Sequence, residues 1–530
     1  RNQGGNRNHS LRLVLQGLND NKSAIGTKVE VFAGDVYQKF EISGSGYLGQ
    51  SSLPLLVGLG SNSSTDVVRM LWPTGVLQDE VEITTKAARF TEIDRRGSSC
   101  PVLFAWDGGK FRFVSDMIGA GVVGHWIAPG QRNLADPTEY LKLDFEPKPQ
   151  QGRLKLRFME PMEETVYLDA VRLLAVDHPE SAEVVPNEYF ASNPPFPEFK
   201  IVASRNATPV AAARDDSGRD VTGLLRNDDR QYVSGFEILP YKGFTKMHSL
   251  ELDLGEPYKG GTLRLLMTGY IEYFTATSMF AAHQAGLEPV APYVETPTAD
   301  GKWVRVIDDM GFPAGLHRTT VADLTGRLPV GTSRIRITTN LQIYWDQILV
   351  DRTSAPIAVN SYEIPLTAAN LEFRGYPEAI EGKSPGDLTY IYEKVSKTGP
   401  YTHQAGEYTR FGDVGELLRK ADDRFVVFGS GEEVALEFNV AGLPALPRGW
   451  KRDYFFFADG FEKDMDFYAA DFLSVEPLPA HVFGSYPDQV AFPTDAEHLR
   501  YRLEYNTRTA SDHPAADYRF NYRGDSGAHH

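Results

Sequence analysis

Residues 11–83 read LRLVLQGLNDNKSAIGTKVEVFAGDVYQKFEISGSGYLGQSSLPLLVGLGSNSSTDVVRMLWPTGVLQDEVEI. Val29 and Val31 alternate with Lys28 and Glu30, and Phe40 and Ile42 alternate with Lys39 and Glu41. A period of two gives strands with one buried face. Gly34-Asp35 between the two runs is a hairpin signal. Gly44, Gly46 and Gly49 spell G-x-G-x-x-G after a strand. A dinucleotide loop needs a helix to follow, and Gln50-Ser51-Ser52-Leu53-Pro54 is no helix, so the glycines serve turns.

Four phrases in this stretch come in a fixed order: NDNKSAIGTKVEV (19–31), SGSGYLGQSS (43–52), LLVGLG (55–60) and VVRMLWPTG (67–75). Together they resemble the ASPIC/UnbV domain, over about residues 11–93. In that family the domain closes a set of FG-GAP propeller repeats, in exported bacterial proteins and in the animal cartilage acidic proteins. The resemblance implies a modular bacterial β protein that is extracellular, on the cell surface or periplasmic. The partners it implies are other protein subunits, or an FG-GAP propeller upstream in the same polypeptide.

At 530 residues the chain exceeds one ordinary core, and roughly two to four domains are expected. Aromatics make up 12%, with 48 Gly and 33 Pro, a profile that suits sandwiches with many turns. The net charge of −17 is spread along the chain. Such a field disfavours nucleic acid and anionic membranes and favours solubility or cation binding. No apolar run reaches the length of about 18 residues that a membrane span needs. Residue 1 is Arg, so a longer precursor is expected, with any signal peptide upstream. Cys100 stands alone, which excludes intrachain disulfides and zinc–cysteine sites. It reads as a small buried hydrophobe, with an intermolecular link as the alternative.

Alternation persists downstream. Val102–Trp106 and Phe111–Val114 flank Asp107-Gly108-Gly109 as a hairpin. Leu154, Leu156 and Phe158, then Leu250, Leu252 and Leu254, then Ile335 and Ile337, then Val434, Leu436 and Phe438 mark further strands. Val166 to Val176 reads as a strand pair. Asp413 with Glu416 makes a capping-box variant before Leu417-Leu418, and Thr494 with Glu497 predicts a helix over about 494–506. Residues 179–235 read as long loops or a junction, and Pro356–Pro377 as a second junction. No fixed-period repeat is visible, so the chain is neither propeller nor solenoid.

The expected architecture is all-β: a multidomain set of antiparallel β-sandwiches with few short helices. Its divisions are an ASPIC/UnbV-like module at 1–97 and a long-looped sandwich at 98–245. A jelly-roll or galactose-binding-like sandwich follows at 246–355, then a β-rich domain at 356–480, then a helix and flexible tail at 481–530. The phrases FAWDGGKFRFVSD, DGKWVRVIDDMGFPAG, IRITTNLQIYWDQILVD and RDYFFFADGFEKDMDF resemble uncharacterised C-terminal regions of the same bacterial proteins. That second resemblance implies no catalytic residues.

Trp345, Asp346 and Gln347 end a strand-like run, and Trp303 follows a turn. A ring beside a carboxylate and an amide is how sugars are held, through stacking and fixed hydroxyls. The competing expectation is that both tryptophans are core residues with a polar edge. Asp459, Asp464 and Asp466 place three carboxylates within one short segment. Asp20 and Asn21 lie in a second oxygen-rich turn with Asn19 and Ser23. Calcium takes about six to eight oxygens, which makes these five candidate metal ligands, although such turns also serve plain Asx hydrogen bonding. Asp308-Asp309 and Asp422-Asp423 read as ordinary exposed pairs.

Gly524-Asp525-Ser526-Gly527 is similar to a serine-protease phrase but lies in a polar tail with no partner-histidine motif. Arg523-Gly524-Asp525 and His529-His530 fall in the same tail. The leading expectation is therefore a non-catalytic exported binding or assembly protein. The alternative is a carbohydrate-binding module or a carbohydrate-active enzyme region, with glycans as ligands.

Overall fold

The computed structural model describes residues 7–18, 20–44, 54–84, 86–93, 101–397, 401–511 and 513–523. Strands dominate and helices are few and short, so the all-β expectation holds. Asn19, Gly46, Gly49, Cys100 and residues 524–530, on which several expectations rested, lie outside the described residues.

The N-terminal module packs two small sheets. One runs Leu55–Gly60, His9–Gln16, Ala87–Thr91, and the other runs Val36–Glu41, Lys28–Ala33, Val67–Leu71, Leu77–Val81. The expected hairpin is present: Ala33 pairs with Val36 around Gly34, whose φ of +59° is one that glycine takes without strain. Leu11, Leu13, Val29, Val31, Val68 and Met70 meet in the core. Trp72 closes one end and donates Nε1–H to Gln78 Oε1 at 2.9 Å.

The first sandwich is assembled from distant parts of the chain. Its six-stranded sheet runs Gly412–Asp413, Leu366–Phe373, Glu432–Asn439, Arg153–Met159, Val102–Trp106, Phe111–Asp116. The facing sheet runs Thr138–Lys142, Trp450–Asp464, Glu164–Pro179, Asn360–Ile364, with Val426–Gly429 also on Glu164–Pro179. Leu156 and Phe158 from one sheet pack on Leu168, Leu173 and Phe456 from the other.

The second sandwich is inserted between these strands. One sheet runs Thr208–Pro209, Ile343–Asp351, Arg264–Ile271, Arg318–Asp323; the other runs Ala212–Asp215, Phe244–Asp253, Arg334–Leu341, Tyr293–Pro297, Trp303–Ile307. Leu265, Met267 and Ile348 face Leu252, Ile335 and Ile337 across the core.

Several local expectations change. Strand pairing crosses the linear cuts after residues 245 and 355, because Glu164–Pro179 finds its partner in Trp450–Asp464, and the cut after 480, because Gly406–Tyr408 pairs with Arg508–Ala510. Periodicity is local and does not show which distant strands pair. The expected strand pair over 166–176 is one long strand, kinked by a bulge. The Pro356–Pro377 junction holds Asn360–Ile364 and Leu366–Phe373, each paired in a sheet of the first sandwich. Residues 179–235 carry strands too, among them Glu183–Pro186 paired with Ile201–Ser204. Asp413 opens no helix: its Oδ1 accepts Gly415 N at 2.9 Å in an Asx turn.

The helix Ala496–Tyr505 forms, but Asp495 rather than Thr494 caps it. A further helix, Ala276–Gln284, hides behind a capping box with Ser278 at the third position instead of Glu or Gln. The tail expected to be loose is held as far as it is described. Pro514–Asp517 and Tyr518–Arg523 are helical, Arg519 bonds Gly34 O at 2.7 Å, and Arg519 and Arg523 both pair with Asp66.

Candidate functional site

An aspartate occupies a matching bulge in each sandwich. Leu168 faces Gly460 and Ala170 faces Asp459, so Asp169 is an extra residue in its strand. Thr268 faces Gln347 and Gly269 faces Trp345, so Asp346 is extra in the other. A bulge re-aims one side chain out of strict alternation. Both aspartates are fully buried under a loop. Asp169 Oδ2 accepts the amides of Asp422 (2.8 Å) and Asp423 (2.9 Å). Asp346 Oδ2 accepts those of Asp229 (3.0 Å) and Arg230 (2.8 Å), and its Oδ1 accepts Gln231 N at 3.1 Å.

The two loops correspond without a gap. Val221, Leu224, Leu225, Arg226 and Asp229 stand where Val414, Leu417, Leu418, Arg419 and Asp422 stand. The left-handed residues Arg230 (φ +58°) and Asp423 (φ +64°) fall at the same step. Leu224 N bonds Val221 O at 3.0 Å and Leu417 N bonds Val414 O at 3.1 Å. Val233 then bridges Trp345, as Val426 pairs with Leu168. The strands agree as well, Tyr344-Trp345-Asp346 against Tyr167-Leu168-Asp169. Loop precedes strand in the second sandwich and follows it in the first. Reading for a fixed period passes over a repeat whose parts exchange order, and the phrases LLRNDD (224–229) and LLRKAD (417–422) were the signal available.

A histidine completes each site. His481 Nδ1 lies 2.6 Å from Asp423 Oδ1 and 3.7 Å from Asp169 Oδ2, and its Nε2 lies 2.7 Å from Asp459 Oδ1. His317 Nε2 lies 2.8 Å from Asp228 Oδ1 and 4.0 Å from Asp346 Oδ2, while its Nδ1 meets Tyr232 Oη at 2.9 Å. Arg230 reaches Asp387 Oδ1 at 2.7 Å, and Tyr232 donates to the same oxygen at 3.3 Å. Within each of the sets Asp169–Asp459–His481 and Asp228–His317–Asp346, every residue offers one donor atom within 4.8 Å of the others.

Electrostatics follow burial. Burial pushes the Asp169 carboxyl up to about 7 against the Asp423 amide and His481, which lower it. Burial likewise lifts Asp346 to about 6 against the Arg230 amide. For His481 burial acts downward, but hydrogen bonds to Asp423 and Asp459 outweigh it and raise the imidazolium to about 10. His481 also forms part of the wall of a cleft of about 340 Å³, with Phe461, Phe483 and Tyr486.

The sequence candidates disperse. Trp345 is 5% exposed and packs in the second core. Trp303 lies on the opposing sheet, with the Arg336 guanidinium 4.6 Å from its ring centre. Gln347 donates to Arg226 O at 3.2 Å, and Asp346 joins His317. Asp459 reaches His481, Asp464 lies 3.6 Å from His125, and Asp466 accepts Thr277 N (3.0 Å) and Oγ1 (2.6 Å) at the start of Ala276–Gln284. Asp20 accepts Thr74 N at 3.0 Å, and Asn21 exchanges two 2.8 Å bonds with the backbone of Ile25, so both pin the module's turn. The Asp422-Asp423 pair, expected on the open surface, closes over Asp169. Sequence reading missed Asp169 and His481.

A larger cavity, about 680 Å³, lies at the seam between module and body. Trp72–Gly75 and Arg69 form one wall, and Phe467, Phe472 and Leu473 form the other. Among the described residues no helix is long and apolar enough to cross a membrane. No curated protein and no solved structure matches the chain. Residues 17–95 match the family model described as ASPIC and UnbV, so the N-terminal module carries an ASPIC and UnbV segment, and both sandwiches lie beyond it.

Proposed function

We propose that the chain is a non-catalytic binding and assembly part of an exported FG-GAP/ASPIC-type protein or complex, and that it takes a segment of a protein partner at the seam. The seam cleft carries this reading. Phe467 is 55% and Leu473 50% exposed on its wall. Large apolar side chains left in water beside a cavity mark contact surfaces. Around them the charges are paired, Lys39 with Glu30 at 2.7 Å and Arg69 with Asp79 at 2.8 Å. Aromatic cover with a polar rim is the usual anatomy of a protein interface. The Tyr518–Arg523 segment already docks on another part of the module, through ion pairs to Asp66. An upstream propeller or another subunit is the expected partner, and a surface or periplasmic location belongs to the same proposal.

A photo-crosslinking residue at position 473 tests it, with position 330 on a separate exposed site as control. Crosslinks from 473 to one defined protein segment, absent from 330 and lost in Phe467→Ser, are expected from the protein in its source cells. Equal labelling at both positions, or crosslinks to glycan alone, would overturn the proposal.

A further inference from the structure

We propose that Asp169, Asp459 and His481 bind one divalent transition-metal ion of the zinc or manganese class, with Asp423 holding the imidazole from its other side. The second sandwich supplies the internal control. Its bulge aspartate spends both oxygens on three loop amides. The first sandwich spends only Oδ2 of Asp169 on amides, and Oδ1 is buried without a hydrogen-bond partner. A fully buried carboxylate oxygen left in that state is costly, and a cation removes the cost.

Charge points the same way. Three carboxyl groups, those of Asp169, Asp423 and Asp459, converge on the one imidazole of His481. A divalent ion bound among them offsets this crowding of carboxyl groups.

The donor set selects the ion. His481 Nε2 and Asp459 Oδ1 are 2.7 Å apart. Two ligands each about 2.0–2.2 Å from one ion stand roughly 3–3.5 Å apart, so an ion would replace this hydrogen bond with only a small parting of the two atoms. The Asp423 carboxylate on Nδ1 fixes the tautomer that presents Nε2, the usual outer partner of a metal-bound imidazole. Calcium takes all-oxygen shells of about six to eight donors, whereas a nitrogen with two carboxylates suits zinc or manganese. Three protein ligands beside a cleft leave a position for water or a ligand group. The site is independent of the seam, so failure of one proposal leaves the other standing.

The test uses the full chain, stripped with a chelator and titrated with zinc, manganese and calcium at neutral pH. One zinc or manganese per chain is expected by elemental analysis, and cobalt should give a visible spectrum with nitrogen ligation. His481→Gln and Asp459→Asn should each weaken binding at least tenfold with the circular dichroism unchanged. Asp169→Asn, which keeps an acceptor for the two amides, should do the same, while His317→Gln should leave affinity unchanged. Absence of stoichiometric metal, preference for calcium, or undiminished affinity in His481→Gln would overturn the assignment.

Discussion

The bulges at Asp169 and Asp346 share a backbone and differ in what surrounds it. In both, a loop with one left-handed residue lowers its amides onto a buried carboxylate. That residue is Asp423 in one loop and Arg230 in the other, a reversal of charge at one step. Asp423 turns to a histidine, and Arg230 turns to Asp387. On the neighbouring strand Asp459 faces Ala170, where Thr268 faces Gln347. Thr268 bonds Thr319 Oγ1 at 2.8 Å and contributes no charge. The shared part answers a backbone need, since buried amides require an acceptor. The differing part decides whether the site is a sealed lock or a charged pocket beside a cleft.

The sharpest way to break this comparison is to remove each carboxylate. Asp346→Ala strands three amides and should cost about 4 kcal/mol, while Asp169→Ala strands two and should cost about 2 kcal/mol. Hydrogen exchange of the 226–233 and 419–426 segments reads each loop separately, and equal losses would remove the distinction. A milder pair of substitutions sharpens it. Asp346→Asn sets a donor against the amide of Gln231 and should cost about 1–2 kcal/mol, whereas Asp169→Asn should stay within about 0.5 kcal/mol in metal-free protein.

Breaking the Arg230–Asp387 pair by Arg230→Ala should cost about 1 kcal/mol, because the guanidinium is partly exposed. Loosening confined to 226–233 is the expected exchange pattern, and a change at 419–426 would argue against two separate locks.

The comparison also predicts a dependence on pH. The folded His481 pKa is raised to about 10, above about 6.5 for an unfolded histidine. Its charge therefore stabilises the metal-free protein fully below about pH 6.5, and that contribution disappears as pH climbs through about 10. The stability gap between wild type and His481→Gln should shrink across that window. A gap that widened with pH would contradict the imidazolium between Asp423 and Asp459.

Alternation at Val29 and Val31, at Leu154, Leu156 and Phe158, and at Leu250 and Leu252 was enough to place strands, since one buried face imposes a period of two. Pairing was not legible, because the partners of Glu164–Pro179 lie far along the chain. The site was half legible. Asp459 was visible among its acidic neighbours, but closeness in sequence misled: Asp459, Asp464 and Asp466 serve three separate places. Asp169 sits alone in the apolar run YLDAVRLLAV, which reads as core. His481 follows a proline-rich turn with no partner nearby in sequence. Trp345 packs inward because the strand's alternation turns it there, and the bulge then sends Asp346 under the loop.

The insertion has a consequence for synthesis on the ribosome. Every strand of the second sandwich lies between residues 208 and 351, so it can close as soon as it emerges. The strand Glu164–Pro179, apolar on both faces, waits for Trp450–Asp464. At roughly 5–20 residues per second that delay is on the order of 15–50 s. Throughout it the outer half-sandwich keeps one sheet edge unpaired, the kind of edge that templates aggregation, so the inner domain can close before the outer one.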